Sequence, residues 1–214
     1  MKSCIGIVLS VLDFQENGRI LTVFSPNGLM KFVAKKRHSP LFTVLNQGEF
    51  VYAIGKGELH RFWDGKILSQ YLALRERLES LETAGILVRG IQKSQMLGKP
   101  APQLYQLFCY CLHAISTVDN PFDIASIFLV KTMKHEGLFQ TLNQCSICQL
   151  PPSLRYGGER FCAHHGPKGA LELTLEEEKW LIKFTEGRSL KQLLIEPTNL
   201  LDKITILFNQ TFSN

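Results

Sequence analysis

The sequence predicts an α+β fold, on three observations. Short runs of alternating apolar residues fill the first 68 positions. Apolar residues at spacings of three and four dominate from about Ser69 onward. A tight group of Cys and His interrupts that helical part at about 143–168. Residues 1–68 therefore read as a β-barrel domain and residues 69–214 as a mainly helical domain with a metal-binding module inserted. At 214 residues, 45% hydrophobic and 20% charged, the chain can build real cores. It has no run of about 18 apolar residues, so no membrane span is expected.

The opening stretch MKSCIGIVLSVLDF reads as a strand rather than a signal peptide. Its apolar residues Ile5, Ile7, Leu9 and Val11 alternate with Gly6, Val8 and Ser10, and Asp13 follows at once with no small-residue cleavage site. A polar turn at Glu16-Asn17-Gly18 leads into RILTVF. Ser25-Pro26-Asn27-Gly28 then supplies the backbone angles of a tight turn into LMKFVAK. EFVYAIG and ELHRFW are joined across Gly55-Lys56-Gly57, a hairpin turn that lacks the rest of a phosphate-loop pattern. Asp64-Gly65 is expected to close the next turn. Five short strands with one longer connection, at about 36–48, describe a small Greek-key barrel, and its size and strand count suit an OB-fold.

The helical part begins with LALRERLESLETAGILVRGI, where Leu74, Leu78, Leu81 and Gly85 form one stripe. Pro100 and Pro102 open a second helix carrying Leu104, Leu107, Phe108, Cys111, Leu112 and Ile115, and Pro121 opens a third with Ala125, Phe128, Leu129 and Met133. Thr174-Leu-Glu-Glu177 is a capping-box signature, Gly187 sits where a helix should end, and one last helix closes the chain. The run Glu176-Glu177-Glu178 reads as a solvated first turn favoured by the helix dipole.

Three of the six cysteines, Cys4, Cys109 and Cys111, lie in apolar stretches and read as buried free thiols. The others belong to CSICQLPPSLRYGGERFCAHHG. There Cys145-x2-Cys148 is followed after thirteen residues by Cys162-x-His164-His165. Two knuckles across a loop, with Gly157-Gly158 as the turn between, meet the spacing of a tetrahedral zinc site. Cys-x2-His mirrors the first knuckle and favours His165 as fourth ligand, with His164 the alternative. A catalytic zinc needs an open position and a nearby acid or base. The deaminase and metalloprotease signatures are both missing, since His135-Glu136 has no spacer and no Pro precedes Cys145. A thioredoxin-like dithiol belongs at a helix start in a strand–helix–strand unit, whereas this one follows helices. The expected metal is therefore structural Zn2+, the chain is not expected to be an enzyme, and a reducing cytoplasm suits its thiols.

Charge is uneven along the chain. Residues 1–66 hold 9 Lys/Arg against 5 Asp/Glu, whereas the rest hold 15 against 14, within a net charge of +5. A polyanion partner at the barrel follows. Lys35-Lys36-Arg37-His38 ends a strand and opens the longest barrel loop, with Lys31 before it and Lys56, Arg61 and Lys66 nearby in strand order. Cations beside a barrel face track a phosphodiester backbone. Phe32, Tyr52, Phe62 and Trp63 are either stacking surfaces or core.

The segments DFQENGRILTVFSPNGLMKFVAKK and HEGLFQTLNQCSIC, and the order barrel, helices, zinc module, last helices, resemble the bacterial RecO family of recombination mediators. Two features depart from the family pattern: His165 stands where zinc-bearing members usually have a fourth Cys, and AKKRHSP replaces a glycine followed by paired arginines. The resemblance implies a protein that binds single- and double-stranded DNA and anneals complementary strands. It implies RecR and sometimes RecF as partners, single-strand-binding protein (SSB) engaged by the helical part, and RecA loaded indirectly. It also implies a place in the bacterial cytoplasm, with the nucleoid. The competing reading is a zinc-stabilised protein-interaction scaffold that never touches nucleic acid.

Overall fold

The computed structural model describes residues 1–14, 16–35, 40–55, 57–187, 189–194 and 199–213. They group into two compact units, 1–81 with 91–116, and 82–90 with 117–214. No helix among the described residues is long and apolar enough to cross a membrane.

Strands β1 (Lys2–Phe14), β2 (Gly18–Ser25), β3 (Gly28–Lys35), β4 (Gln47–Ala53) and β5 (Leu59–Ser69) form a closed, OB-like barrel in the order β1-β2-β3-β5-β4. Closure leaves no open sheet edge. β1 serves two neighbours, pairing with β4 through Lys2–Ile7 and with β2 through Ile7–Phe14. A bulge between Val8 and Ser10 bends the strand from one partner to the other. The Val8 backbone there is tied to the following loop by Val8 N donating to Asn46 O at 3.0 Å and Leu45 N donating to Val8 O at 2.8 Å. β3 and β5 pair in parallel, with Phe32 opposite His60 and Val33 opposite Arg61.

Burial alternates strictly along β4, the period of a half-buried strand. The inward residues, with Leu41 and Phe42 from the β3–β4 connection, make one apolar core. Its centre is aromatic: Phe32 stacks on Phe50 with ring centroids 5.6 Å apart, and Tyr52 and Phe62 pack edge-on to them. Phe32, Tyr52 and Phe62 are thus core residues, which removes three of the four candidate stacking surfaces.

Asp64-Gly65 does not make a turn. β5 continues through both, and Gly65 faces Phe50 where a Cβ would overlap the Glu49 carbonyl and lie 2.7 Å from Leu41 Cδ2. The glycine serves close strand packing, which sequence alone does not separate from turn chemistry. Gly57 has the left-handed φ of 85° expected of a hairpin, whereas its neighbour Lys56 lies outside the described residues.

After a 3-10 turn at Leu72–Arg75 come α1 (Leu78–Ser94), α2 (Pro102–Ile115) and α3 (Phe122–His135). The stripe expected on α1 is wrong: Leu78 is 68% and Leu81 40% exposed, and the buried residues are Ser80, Thr83, Ala84, Leu87, Val88, Gly90, Ile91 and Ser94. The helix starts only at Leu78, so Leu74 belongs to the preceding turn and sets no helical phase. α2 begins with Pro102 in its first turn and sets Tyr105 and Phe108 edge-on to Phe24 of β2, at 5.7 and 5.8 Å. Of the thiols read as buried, Cys4 and Cys111 are buried and Cys109 half-buried; burial pushes the Cys4 thiol up to about 11.

In the second unit α3 is buried almost all round and packs against α4 (Leu175–Glu186) and α6 (Leu201–Thr211), with the short α5 (Leu190–Leu193) between the latter two in sequence. The capping box on α4 is present: Thr174 Oγ1 accepts from Glu177 N at 3.2 Å and Thr174 N donates to Glu177 Oε2 at 2.8 Å. Gly187 caps the C-terminus, its N–H donating to Lys183 O at 2.8 Å.

Because Phe50 is fully buried among aromatic rings, Phe50→Ala should cost about 3–5 kcal/mol. Chemical denaturation measures it; a loss under about 1 kcal/mol would mean that the barrel centre is not packed this way.

Candidate metal centre and candidate nucleic-acid face

Between α3 and α4 the chain forms a three-stranded sheet, β6 (Leu154–Tyr156), β7 (Glu159–Phe161) and β8 (Leu171–Glu172), in the order β7-β6-β8. Gly157-Gly158 makes the β6–β7 turn with Gly157 at φ 55°, as the sequence suggests. The turn is crowded as well as tight: a Cβ on Gly158 would overlap the Leu138 carbonyl oxygen. α6 holds the same turn, Gln210 Oε1 accepting from Gly157 N at 2.8 Å.

Each end of this hairpin carries a knuckle. In the first, Cys145 N donates to Leu150 O at 2.8 Å, Gln149 N to Cys145 O at 3.1 Å, and Ile147 N points to Cys145 Sγ at 3.5 Å. In the second, His165 N and Gly166 N both reach the Cys162 carbonyl, at 3.1 and 3.0 Å. The knuckles bring Cys145, Cys148, Cys162 and His165 together, with all donor atoms within 4.8 Å of one another. His164 is exposed and is not in the cluster.

The spacings within the cluster suit a tetrahedron. Cys148 Sγ lies 3.7 Å from Cys162 Sγ, and His165 Nδ1 lies 3.3 Å from Cys162 Sγ and 3.8 Å from Cys145 Sγ. Four ligands on metal–sulfur bonds of about 2.3 Å stand roughly 3.8 Å apart. Burial disfavours a Cys145 thiolate, but N–H groups from Cys148, Cys162 and Ile147 and the His165 ring outweigh it and bring the thiol down to about 6. At Cys148 the Leu150 N–H favours ionisation, yet burial and the neighbouring Cys162 and Cys145 sulfurs push the thiol up. Sulfurs that resist each other's ionisation are what a shared cation relieves. The donors present therefore fit a metal ion.

The module is anchored by an arginine that the sequence reading did not single out. Arg155 is 0% exposed. Its Nε and Nη2 donate to both carboxylate oxygens of Glu178 at 3.1 and 3.0 Å, Nη1 to Gly158 O at 3.0 Å and Nη2 to Gln140 O at 3.3 Å. The guanidinium also lies over the Phe139 ring, 4.4 Å from its centroid. Arg160, directly opposite Arg155 in the hairpin, reaches the same Glu178 at 3.7 Å. Glu178 is thus no solvated helix-turn residue. Glu177 is not one either: burial disfavours its charge, but Lys203 Nζ at 2.6 Å and the Thr174 N–H hold its carboxyl below the usual range. Of the three glutamates only Glu176 is simply exposed. An apolar-pattern search passes over an arginine in a three-residue strand, so its pairing was not visible.

On the barrel the expected cations separate into groups. Lys36, Arg37 and Lys56 lie outside the described residues. Lys31 stands 3.9 Å from Glu58, and Lys66 pairs with Glu49 at 3.0 Å across β4 and β5. Lys35 and Arg61 come together: they line one open groove of about 900 Å³ with Phe14, Glu16, Gly18 and Trp63 among its walls. The parallel β3–β5 pairing that sets Val33 opposite Arg61 brings them there. Trp63 is 44% exposed, with the Arg61 guanidinium 5.0 Å from its ring centroid. Phe14, 36% exposed, completes the groove; it stands at the end of the first strand, beyond the alternating residues that mark that strand in the sequence.

A closed OB-like barrel with cations and open rings in one groove, followed by a helical unit bearing a Cys3His cluster, defines a class of α+β protein: an OB-like barrel joined to a helical part with a potential metal site. The comparisons place it further. The family models for "Recombination protein O N terminal" and "Recombination protein O C terminal" match residues 1–71 and 78–202. The chain is 30% identical to the DNA repair protein RecO of Chlamydia pneumoniae, over 98% of this chain and 88% of that one. It is 27% identical to the DNA repair protein RecO of Chlamydia trachomatis serovar D, over 97% and 91%. The DNA repair protein RecO of Bacillus cereus (strain AH187) is 26% identical over 80% and 73%. This chain belongs to the RecO family of DNA repair proteins.

Glu178→Ala leaves a buried guanidinium without its carboxylate, and should destabilise the second unit by about 3–5 kcal/mol. Replacing both partners, Arg155→Met with Glu178→Leu, should recover much of that loss. A double variant that loses as much as the two single replacements added together would show that the pair is not coupled.

Proposed function

We propose that the protein is a non-catalytic, DNA-binding recombination mediator. It binds single- and double-stranded DNA, anneals complementary strands and, with RecR and in some settings RecF, loads RecA onto single strands coated by SSB. Its place is the bacterial cytoplasm, with the nucleoid. Family membership supports this reading, and the observation that carries it is the meeting of Lys35 and Arg61 in one groove of the barrel. Cations there neutralise phosphates and release counterions, which lets two strands approach each other. Lys31 and Lys66, each beside a carboxylate, are further candidate phosphate contacts in this reading, as are Lys36, Arg37 and Lys56, which lie outside the described residues.

The metal in this reading is zinc. Three thiolates and an imidazole are soft ligands that disfavour Mg2+ and Ca2+. When bound, zinc supplies folding energy rather than chemistry, since the four protein donors fill a tetrahedral sphere. Cys145 and Cys148 hold one knuckle and Cys162 and His165 the other, and the hairpin spaces them.

The scaffold reading draws on the pairing of Lys31 and Lys66 with carboxylates and on exposed Leu138, Leu142, Ile147 and Leu150 around the first knuckle. Retention on immobilised DNA at about 150 mM salt separates the two readings, since phosphate binding is measurable there.

Lys35→Ala combined with Arg61→Ala should weaken single-strand binding and flatten the plot of log affinity against log salt by roughly one to two units. An unchanged slope would remove this groove from the mechanism. For the metal, elemental analysis should find about one zinc per chain, and Cys148→Ser should lose it together with several kcal/mol of stability. A zinc-free preparation of undiminished stability would refute that role.

A further inference from the structure

We infer that the barrel groove distinguishes single strands from duplex, with Phe14 and Trp63 taking up unpaired bases while Lys35 and Arg61 meet the phosphates. The inference rests on the DNA-binding reading above and adds the class of nucleic acid that the groove favours.

Local backbone geometry sets the two rings outward. Tyr52 pairs with Phe62 and Val51 with Asp64, so Trp63 is the extra residue of a bulge in β5. Phe62 turns into the core and Trp63 to solvent. Phe14 ends β1 opposite Gly18, a residue with no side chain to cover the ring. Both rings line the same groove as Lys35 and Arg61, and Arg61 lies beside the Trp63 ring. Glu16, also in the wall, repels phosphate on its own side and so directs the backbone along Lys35 and Arg61. At about 900 Å³ the groove falls among ligand-sized sites.

In a duplex, base faces are covered by neighbouring bases and only the backbone can reach Lys35 and Arg61. In a single strand the faces are open, and ring–base stacking is worth about 1–3 kcal/mol per base whatever the sequence. Charge therefore serves both forms of DNA, and the rings favour one of them.

The test measures affinity for an oligonucleotide of mixed sequence and for the same sequence as duplex, at one salt concentration. Readings are taken with the full chain and with Phe14→Leu, Trp63→Leu and Trp63→Phe. Each leucine variant should lower the ratio of single-strand to duplex affinity, by about 5- to 150-fold per lost stack. Trp63→Phe, which keeps a π face and tests the same site if the leucine variant folds poorly, should restore most of the ratio. A ratio that stays constant across folded variants overturns the inference while DNA binding itself stands. Failure of the unmodified chain to bind either DNA overturns the underlying reading, and this inference with it.

Discussion

One half-buried carboxylate organises the second unit. Glu178 sits in the first turns of α4 and takes charge from two arginines that face each other across the β6–β7 hairpin. Like charges directly opposite in a hairpin repel, and burial pulls the Arg160 guanidinium down from its ordinary value. Without Glu178 neither arginine belongs in that position. With it, the planar fork of Arg155 also fastens the Gly158 and Gln140 carbonyls, so hairpin, turn, preceding segment and helix share one anchor.

That anchor makes the knuckles intelligible. Three-residue strands cannot stand alone in water, and a loop of thirteen residues between cysteines has many conformations to lose. Arg155 reduces them from the helix side and the four-donor cluster from the other. Gln140 joins the two: its side-chain oxygen accepts from Ser146 Oγ at 2.9 Å, inside the first knuckle, and from Arg160 N at 3.1 Å, in the hairpin. The four-donor cluster and the ion pair thus belong to one hydrogen-bonded piece.

Much of this was legible from residue patterns, and the failures share a cause. The barrel, the capping box at Thr174 and the four clustered donors rest on short-range signals: alternation, spacing of three, two knuckles. The misreadings all concern what a residue faces across space. Asp64-Gly65 has turn composition, but its glycine admits a neighbouring strand. Glu178 has the composition of a solvated helix start, but its partner lies 23 positions earlier in sequence. Phe32 and Trp63 are both aromatics of barrel strands, yet one is central and the other exposed, and only the bulge beside Trp63 decides which. On α1, four apolar residues at plausible spacing straddled a helix start, and the phase was lost.

The double pairing of β1 also governs how the barrel comes together. Its first half can settle only when β4 is present, because Lys2 lies opposite Tyr52 and Ile7 opposite Gln47. On a ribosome the β1–β2–β3 meander, complete at Lys35, therefore emerges with the margins of both β1 and β3 unpaired until β4, from Gln47, and β5, from Leu59, have been made. Such distant pairings form slowly, and an open margin invites union with a neighbouring nascent chain. The seam between the first strand and the fourth is where this molecule commits to a closed barrel or strays into tangled assemblies.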